Sequence, residues 1–493
     1  MKFVNTWLQM SFMQKFFVIF LICSGILWTV VPATYHSTLH FDPAETLMWG
    51  STFNWGNAKH PPMAGYMLYN FCRLWGFPNF SIFLLSQICV TIGLVYIYKL
   101  ARCFYDRDKS VIATLLITFY FFYNYETPKF NANIPHLLFV PMMCYYFYRG
   151  CVANKWHHWI LLAVSTACAC LSKYSAGVMA VSFCLFLAVN KDARKILLSV
   201  KPYAAGLLLL GLLTPHLLLL IQTDFLVFNY VTHGEEMKYG YVGQLCGLAG
   251  AIALPLLCMS TAWFICHVSS RIKYPSFSST LFRSPAFQYS GSIIWGQAAF
   301  LFVMGICGHR LSAMWVFPLF LTAGIFIMSL YPAIPLSDRI KRSFCLFCSV
   351  FAAIMVLFPL VYYHCNSKYR YHIAKEDLKN AARDFYLRKT GKEIPFISGS
   401  IWEAGMLQNC FKYTIKAAPS FDRILMAPHL KNISEKGALL ITLSPAKTSK
   451  DIKQFFDVEL QWHQIELKYC ARFGNEEKFV FYLAVLPPTY SVN

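Results

Sequence analysis

Residues 12–32 read FMQKFFVIFLICSGILWTVVP, and Lys15 is the one charged side chain among them. A helix needs about 20 mostly apolar residues to cross the hydrocarbon core of a bilayer, so this stretch is a transmembrane helix by length and by composition. Working outward, comparable apolar runs recur over 81–101, 110–124, 134–148, 157–171, 174–189, 203–221, 244–267, 287–307, 311–331 and 344–363. Together they predict about eleven spans. The first run has the length of a signal peptide, but Pro32-Ala33-Thr34 is a poor small-residue cleavage site and the chain beyond it is also membrane-like. An uncleaved first span is therefore expected.

Composition supports the same class. Of 493 residues, 57% are hydrophobic and 13% charged, whereas a soluble globular domain carries roughly 25% charged residues. No water-soluble core could hide so much apolar surface. The formal charge of +20 could suggest nucleic acid, but the charges lie in short clusters between apolar runs, with no basic stripe. That pattern is the positive-inside bias of a membrane protein, and no nucleic-acid partner is expected. The 18 cysteines fall mostly inside apolar runs, as with Cys23, Cys89, Cys168, Cys170, Cys184, Cys345 and Cys348, where they act as small hydrophobes. No CxxC pair has a second pair at zinc-finger spacing.

Charge also sets an expected orientation. With the N-terminus in the cytoplasm, 18 of the 24 Lys and Arg before residue 365 fall on inner segments, leaving outside only Lys59, Arg73, Lys129, Lys173, Lys238 and Arg310. An odd number of spans then puts the C-terminus outside. The inner clusters read as topology signals and not as binding sites.

From about residue 365 the pattern becomes that of a soluble chain, with 19 Lys and Arg and 13 Asp and Glu. Glu376–Lys389 reads as an amphipathic helix; Ile394–Ser398, Ala438–Leu443 and Phe479–Val485 read as strands. The expected fold is mainly α: a polytopic membrane domain over 1–364, followed by a small C-terminal α/β domain outside the membrane over 365–493.

Acidic residues near a membrane are costly and tend to be functional. The topology places Asp42, Glu45, Glu126, Asp224, Glu235 and Glu236 outside. Asp42 and Glu45 follow the first span directly, in His40-Phe41-Asp42-Pro43-Ala44-Glu45, three apart and able to share one helix face. Spacing alone favours Asp42 as a helix cap with Glu45 in the first turn. The same loop continues through Trp49-Gly50 to Trp55-Gly56-Asn57-Ala58-Lys59-His60-Pro61-Pro62.

Acid, aromatic glycine-containing helix and Lys-His-Pro-Pro together resemble the first external loop of the GT-C glycosyltransferases. That superfamily includes the protein O-mannosyltransferases and lipid A aminoarabinose transferases, with the bacterial family 39-type enzymes looking most alike. Further segments are similar in order: Lys129-Phe130-Asn131-Ala132-Asn133, Leu171-Ser172-Lys173-Tyr174, Thr214-Pro215-His216 with Asp224-Phe225, His309-Arg310 followed by Met314-Trp315-Val316-Phe317-Pro318, and Ser398–Gly405. One departure is Asn133, where several relatives place a second acid; this leaves a divalent metal ion open, with Glu45 or Glu126 as substitutes, and no cofactor is certain.

The resemblance implies transfer of a sugar from a polyprenyl-phosphate donor to an extracytoplasmic acceptor such as lipid A, an envelope glycan or a protein. A bacterial inner membrane is the expected location. Asp42 is then the candidate base, with Glu45 as a catalytic or acceptor-orienting support. Lys59, His60, Lys173 and Arg310 are the cationic or potentially cationic groups for the donor phosphate, although Lys173 and Arg310 could equally snorkel from helix ends. His216, Glu235 and Glu236 receive no role. The tail could hold or gate the acceptor or simply cap the helices, and it offers no nucleophile–base pair of its own. The alternative class is a transporter or flippase for a lipid-linked saccharide, which would show repeated halves; none is found. A third is a structural subunit of an envelope complex, which would need no acid/Lys-His-Pro-Pro constellation.

Overall fold

The computed structural model describes residues 7–36, 38–57, 59–227, 279–306, 320–331, 336–365, 373–470 and 476–488, together with 249, 252, 253 and 256. The described residues are mainly helical, with one small sheet among them. Helix α1 (Phe12–Tyr35) begins at a capping box in which Ser11 and Gln14 satisfy each other's backbone N–H groups. Two short helices follow, α2 (Phe41–Thr52) and α3 (Met63–Leu74), and then α4 (Asn79–Ala101). Next come α5 (Arg107–Leu116), α6 (Asn133–Ala153), α7 (Trp156–Ser172), α8 (Met179–Val189) and α9 (Lys201–Gln222). Beyond them lie α10 (Pro285–Ile306), α11 (Ala323–Ser329) and α12 (Asp338–Cys365).

Among the described residues four helices are long and apolar enough to cross a membrane: α1, α4, α9 and residues 338–362 of α12. A fifth is formed if Tyr174–Val189 and Lys191–Leu198, which meet at a 108° bend, count as one broken span. Most of the run over 244–267 and the first part of 311–331, residues 311–319, lie outside the described residues. The run over 110–124 is not a single helix. It leaves α-geometry after Leu116 and continues as two 3-10 turns, Ile117–Phe119 and Phe121–Tyr123. The local cause is side-chain competition for carbonyls, since Thr118 Oγ1 donates to Leu115 O and Asn124 Nδ2 donates to Thr118 O and Tyr120 O. The seven cysteines singled out in the apolar runs are all free thiols.

The tail begins with α13 (Lys375–Thr390), whose Gly391 adopts φ 68° to end the helix. Strand β1 (Ile397–Gly399) leads into α14 (Ile401–Cys410) and β2 (Ala417–Pro419), followed by β3 (Ala438–Thr442), β4 (His463–Cys470) and β5 (Glu476–Leu486). The sheet order is β2-β1-β3-β5-β4. β1 pairs in parallel with β2 and β3, and β5 runs antiparallel to β3 and β4. Strands β2 and β4 do not stand out in the sequence. β2 has three residues, and β4 reads His-Gln-Ile-Glu-Leu-Lys-Tyr-Cys, a half-exposed edge whose alternation is too polar to be recognised.

The tail is built around the first loop. Trp49 of α2 sits in the same apolar cluster as Phe396, Leu425, Met426 and Phe456 of the tail. α14 lies against α2 so closely that a Cβ on Gly405 would come within 2.6 Å of the Ala44 carbonyl oxygen. Trp402 Nε1 donates to Leu39 O at 2.9 Å, and Lys375 Nζ bridges Asn79 Oδ1 and Asn409 Oδ1 at 2.7 Å each.

Candidate active site

Asp42 and Glu45 share the first turns of α2, but Asp42 is not its cap. The N-cap is His40, without a side-chain capping bond. The Asp42 carboxylate turns instead to the second loop, where Asn131 Nδ2 donates to its Oδ2 at 2.8 Å. The cap expectation fails because a tertiary partner, invisible in local spacing, competes for the oxygen.

α2 and α3 run backbone to backbone. A Cβ on Gly50 would stand 2.1 Å from the Gly65 carbonyl oxygen, so only glycine fits there. This approach folds the intervening segment back over α2. Asn57, 1% exposed, accepts from the backbone N–H groups of both Lys59 and His60 at 2.9 and 2.8 Å, a side-chain-closed turn. Lys59 Nζ thereby reaches both oxygens of Glu45, at 3.0 and 3.2 Å, and lies over the Phe41 ring. The His60 ring packs edge-on against Trp49.

From the far side, Lys173, in the break between α7 and the turn at Tyr174–Val178, donates to Asn133 Oδ1 at 2.7 Å. Its neighbour Tyr174 meets His216 Nε2 at 3.0 Å, while His216 Nδ1 lies 2.6 Å from Trp55 O. His216 thus ties α9 to the first loop, a positional role that its sequence context does not suggest. Glu126 is paired with Lys129 at 2.8 Å. Arg310 lies outside the described residues, as do Glu235 and Glu236.

The electrostatics follow from burial. Burial raises Asp42, and the Asn131 hydrogen bond and the charges of Lys59 and Lys129 oppose the rise. Glu45, 4% exposed, is pushed up to about 7 by burial, against the Lys59 charge and hydrogen bond, with Asp42 and the tail's Asp422 adding repulsion. Lys173 is pushed down to about 7 by burial alone. His60 is pushed down to about 3 by burial and by the charges of Lys59 and Lys173. The sequence marks His60 as a potential cation; in the fold it is a neutral ring at ordinary pH, because it is buried and, to a lesser degree, because Lys59 and Lys173 bear on it. The same shared field shows that Lys59, His60 and Lys173 occupy one neighbourhood.

Among the described residues no group of three or more His, Cys, Asp and Glu side chains is arranged to hold a metal ion. The carboxylates of Asp42, Glu45 and Glu126 are committed to Asn131, Lys59 and Lys129, and the neutral amide of Asn133 is committed to Lys173. This donor set does not fit a resident divalent cation.

Several residues that build the site carry little signal in the sequence. Asn57, Asn131 and Asn133 lie inside the motifs quoted above, but asparagine has no charge to draw attention. Asp422 and Gly405 are hundreds of residues away from the loop they touch.

Residues 59–219 match the family model described as dolichyl-phosphate-mannose-protein mannosyltransferase. The matched stretch runs from Lys59 through Lys173 into the last turn of α9 and is similar there to that family of GT-C membrane glycosyltransferases. Among solved structures, the chain is similar to ArnT from Cupriavidus metallidurans bound to undecaprenyl phosphate, with 9% identity, a TM-score of 0.45, and coverage of 94% of this chain and 97% of that one. It is also similar to the archaeal oligosaccharyltransferase AglB from Archaeoglobus fulgidus in complex with an inhibitory peptide and a dolichol-phosphate, with 11% identity, a TM-score of 0.42, and coverage of 95% of this chain and 75% of that one. No curated protein matches the chain.

Proposed function

We propose that the chain is an inverting glycosyltransferase that moves a sugar from a polyprenyl-phosphate donor to an acceptor on the outer face of the membrane, with the N-terminus cytoplasmic and the tail outside. A bacterial inner membrane fits this reading. The observation that carries it is the gathering around the first loop of a carboxylate with a raised pKa, two lysines and a neutral imidazole that feels both of their charges.

The chemistry is a single displacement. The acceptor hydroxyl oxygen attacks the anomeric carbon, and the bond from that carbon to the phosphate oxygen breaks. The electron pair leaves on the polyprenyl phosphate, and Asp42 takes the hydroxyl proton. Attack from the face opposite the phosphate inverts the anomeric centre. A raised pKa brings Asp42 nearer the operating pH, where a general base works best. The leaving phosphate needs charge neutralisation, and Lys59 and Lys173 supply it, with Arg310 as a further candidate. An incoming phosphate also draws Lys173 back to its charged form, because an adjacent anion favours the ammonium. His60 contributes as a neutral hydrogen-bonding group. Glu45 holds Lys59 in place and keeps it near Asp42.

The test is transfer from radiolabelled polyprenyl-phosphate sugars into envelope fractions, comparing wild type with Asp42→Asn. Label entering one acceptor with wild type alone supports the reading. Full transfer by a correctly inserted Asp42→Asn removes Asp42 as the base. No transfer from any donor by folded wild type turns the assignment toward a carrier of lipid-linked saccharide.

A further inference from the structure

Four side chains from three separate segments form an unbroken file of hydrogen bonds. Lys173 Nζ donates to Asn133 Oδ1 at 2.7 Å, Asn133 Nδ2 donates to Asn131 Oδ1 at 2.9 Å, and Asn131 Nδ2 donates to Asp42 Oδ2 at 2.8 Å. The backbone N–H of Asn133 donates to the same Asn131 Oδ1 at 2.9 Å. An ammonium can only donate and an ionised carboxylate can only accept, so the two ends fix the direction of both amides. Turning either amide over would set donor against donor at one end and acceptor against acceptor at the other. Asn133, 3% exposed, has little access to water that could replace a lost partner.

We propose that Asn131 and Asn133 are positioning residues that hold the Asp42 carboxylate by Oδ2, with Lys173 as the fixed far end of the file, and so reserve Oδ1 for the acceptor's proton. The inference rests on Asp42 being the base. Among the described residues Asp42 Oδ1 has no hydrogen-bond partner, so one oxygen is held and the other is left for substrate. The file also accounts for an amide at position 133. An Asp there could accept from Lys173, but it would have no N–H to give Asn131 when ionised, and the direction of the file would be lost.

The charged groups around Asp42 come from every side: Glu45 on its own helix, Lys59 from the loop after it, Lys129 from the loop before α6 and Lys173 at the end of the file. From the tail, Asp422 bears on Glu45, and the buried Glu403 lies on α14, which packs against α2. Removing the Asn131 amide changes none of these charges, which makes it a clean probe.

The test reads Asp42 directly, without a donor, by pH-difference infrared spectroscopy of the purified full chain, its carboxyl band being the one lost in Asp42→Asn. Asn131→Leu removes the amide at similar volume, and Asn131→Ala serves as the second variant if Leu does not elute as a single folded species. The expected result is an Asp42 titration midpoint raised by about one pH unit in the Asn131 variant, since a hydrogen bond to the charged form is lost. Asn133→Leu should move it in the same direction by less. In transfer assays the acidic limb of kcat, where the base becomes protonated, follows the same displacement in the Asn131 variant, while donor KM stays within about twofold, because the phosphate contacts are untouched. An unmoved midpoint in the Asn131 variants overturns the proposal. A midpoint that moves in Asn131→Leu but not in Asn133→Leu removes Asn133 from the file. Unimpaired transfer by Asp42→Asn would instead refute the assignment of the base, whatever the spectra show.

Discussion

Glu45→Gln should make the protein more stable at and above neutral pH, with the gain shrinking toward pH 5. Glu45 is 4% exposed, and its carboxyl is raised from an ordinary value of 4.5 to about 7 even with Lys59 in contact with both oxygens. A raised pKa means that the folded chain holds this proton where the unfolded chain has released it. Stability from this group is therefore complete below about pH 4.5, falls as pH rises, and levels off above about 7. At 1.36 kcal/mol per pH unit, the interval amounts to roughly 3 kcal/mol of destabilisation at pH 8. Glutamine is not ionised, so that cost disappears, and its Oε1 can still accept from Lys59. Unfolding entropy of about 2.1 cal/mol/K per residue, over 493 residues, gives about 1 kcal/mol/K, so the gain corresponds to a Tm about 3 °C higher at pH 8. The assay is thermal unfolding of wild type and Glu45→Gln in one detergent, from pH 5 to pH 8.5. The two curves should lie nearest each other at pH 5, draw apart steadily as pH rises toward 7, and run parallel above it. A variant that is less stable at pH 8, or offset equally at both ends, would refute the reasoning, because Glu45 would then be an ion-pair partner that does not titrate in this window.

Other perturbations test the remaining links. Asp42→Asn should lower kcat by about 10² to 10⁴, the usual contribution of a positioned base, with donor KM little changed. Asn57→Ala removes the acceptor for the backbone N–H groups of Lys59 and His60; loosening that turn should raise donor KM about fivefold to thirtyfold, equivalent to 1–2 kcal/mol of lost hydrogen bonding. Gly50→Ala would press a methyl group to 2.1 Å from the Gly65 carbonyl, and the forced separation of α2 from α3 should cost about 1–3 kcal/mol and be seen as a lowered Tm together with weakened donor binding. Trp49→Ala empties part of the tail's apolar cluster; a loss of about 3–5 kcal/mol should release the tail to limited proteolysis at concentrations that leave wild type intact.

The roles of the two carboxylates divide by their partners. Asp42 is held by one neutral amide, whereas Glu45 grips an ammonium. A carboxylate tied to an ammonium is a poor base until that partner moves, and a carboxylate held on one oxygen keeps the other available. This difference is why the proposed function gives the proton transfer to Asp42.

Much of the architecture is legible in the chain itself. Runs such as 12–32 and 203–221 are so apolar that only lipid can surround them, and α1 and α9 occupy them. Hydrophobic length is a local property, and the physics of a bilayer reads it locally. The amphipathic helix at 376–389 and the strands near 397, 438 and 479 are visible for the same reason: their periodicity is written in consecutive residues. The Asp42, Glu45 and Lys59-His60 constellation stands out because charge beside a membrane is rare and costly.

What only the tertiary structure decides is who faces whom. Local spacing makes Asp42 a cap; Asn131, 89 residues on, makes it a held carboxylate. Composition makes His60 a potential cation; burial, reinforced by the nearness of Lys59 and Lys173, keeps it neutral. The tail reads as a separate unit, yet Trp49 from the first loop completes its core and Asp422 bears on Glu45. Burial, charge coupling and hydrogen-bond partnership depend on distances through space, and a linear pattern carries no record of them until the chain has folded.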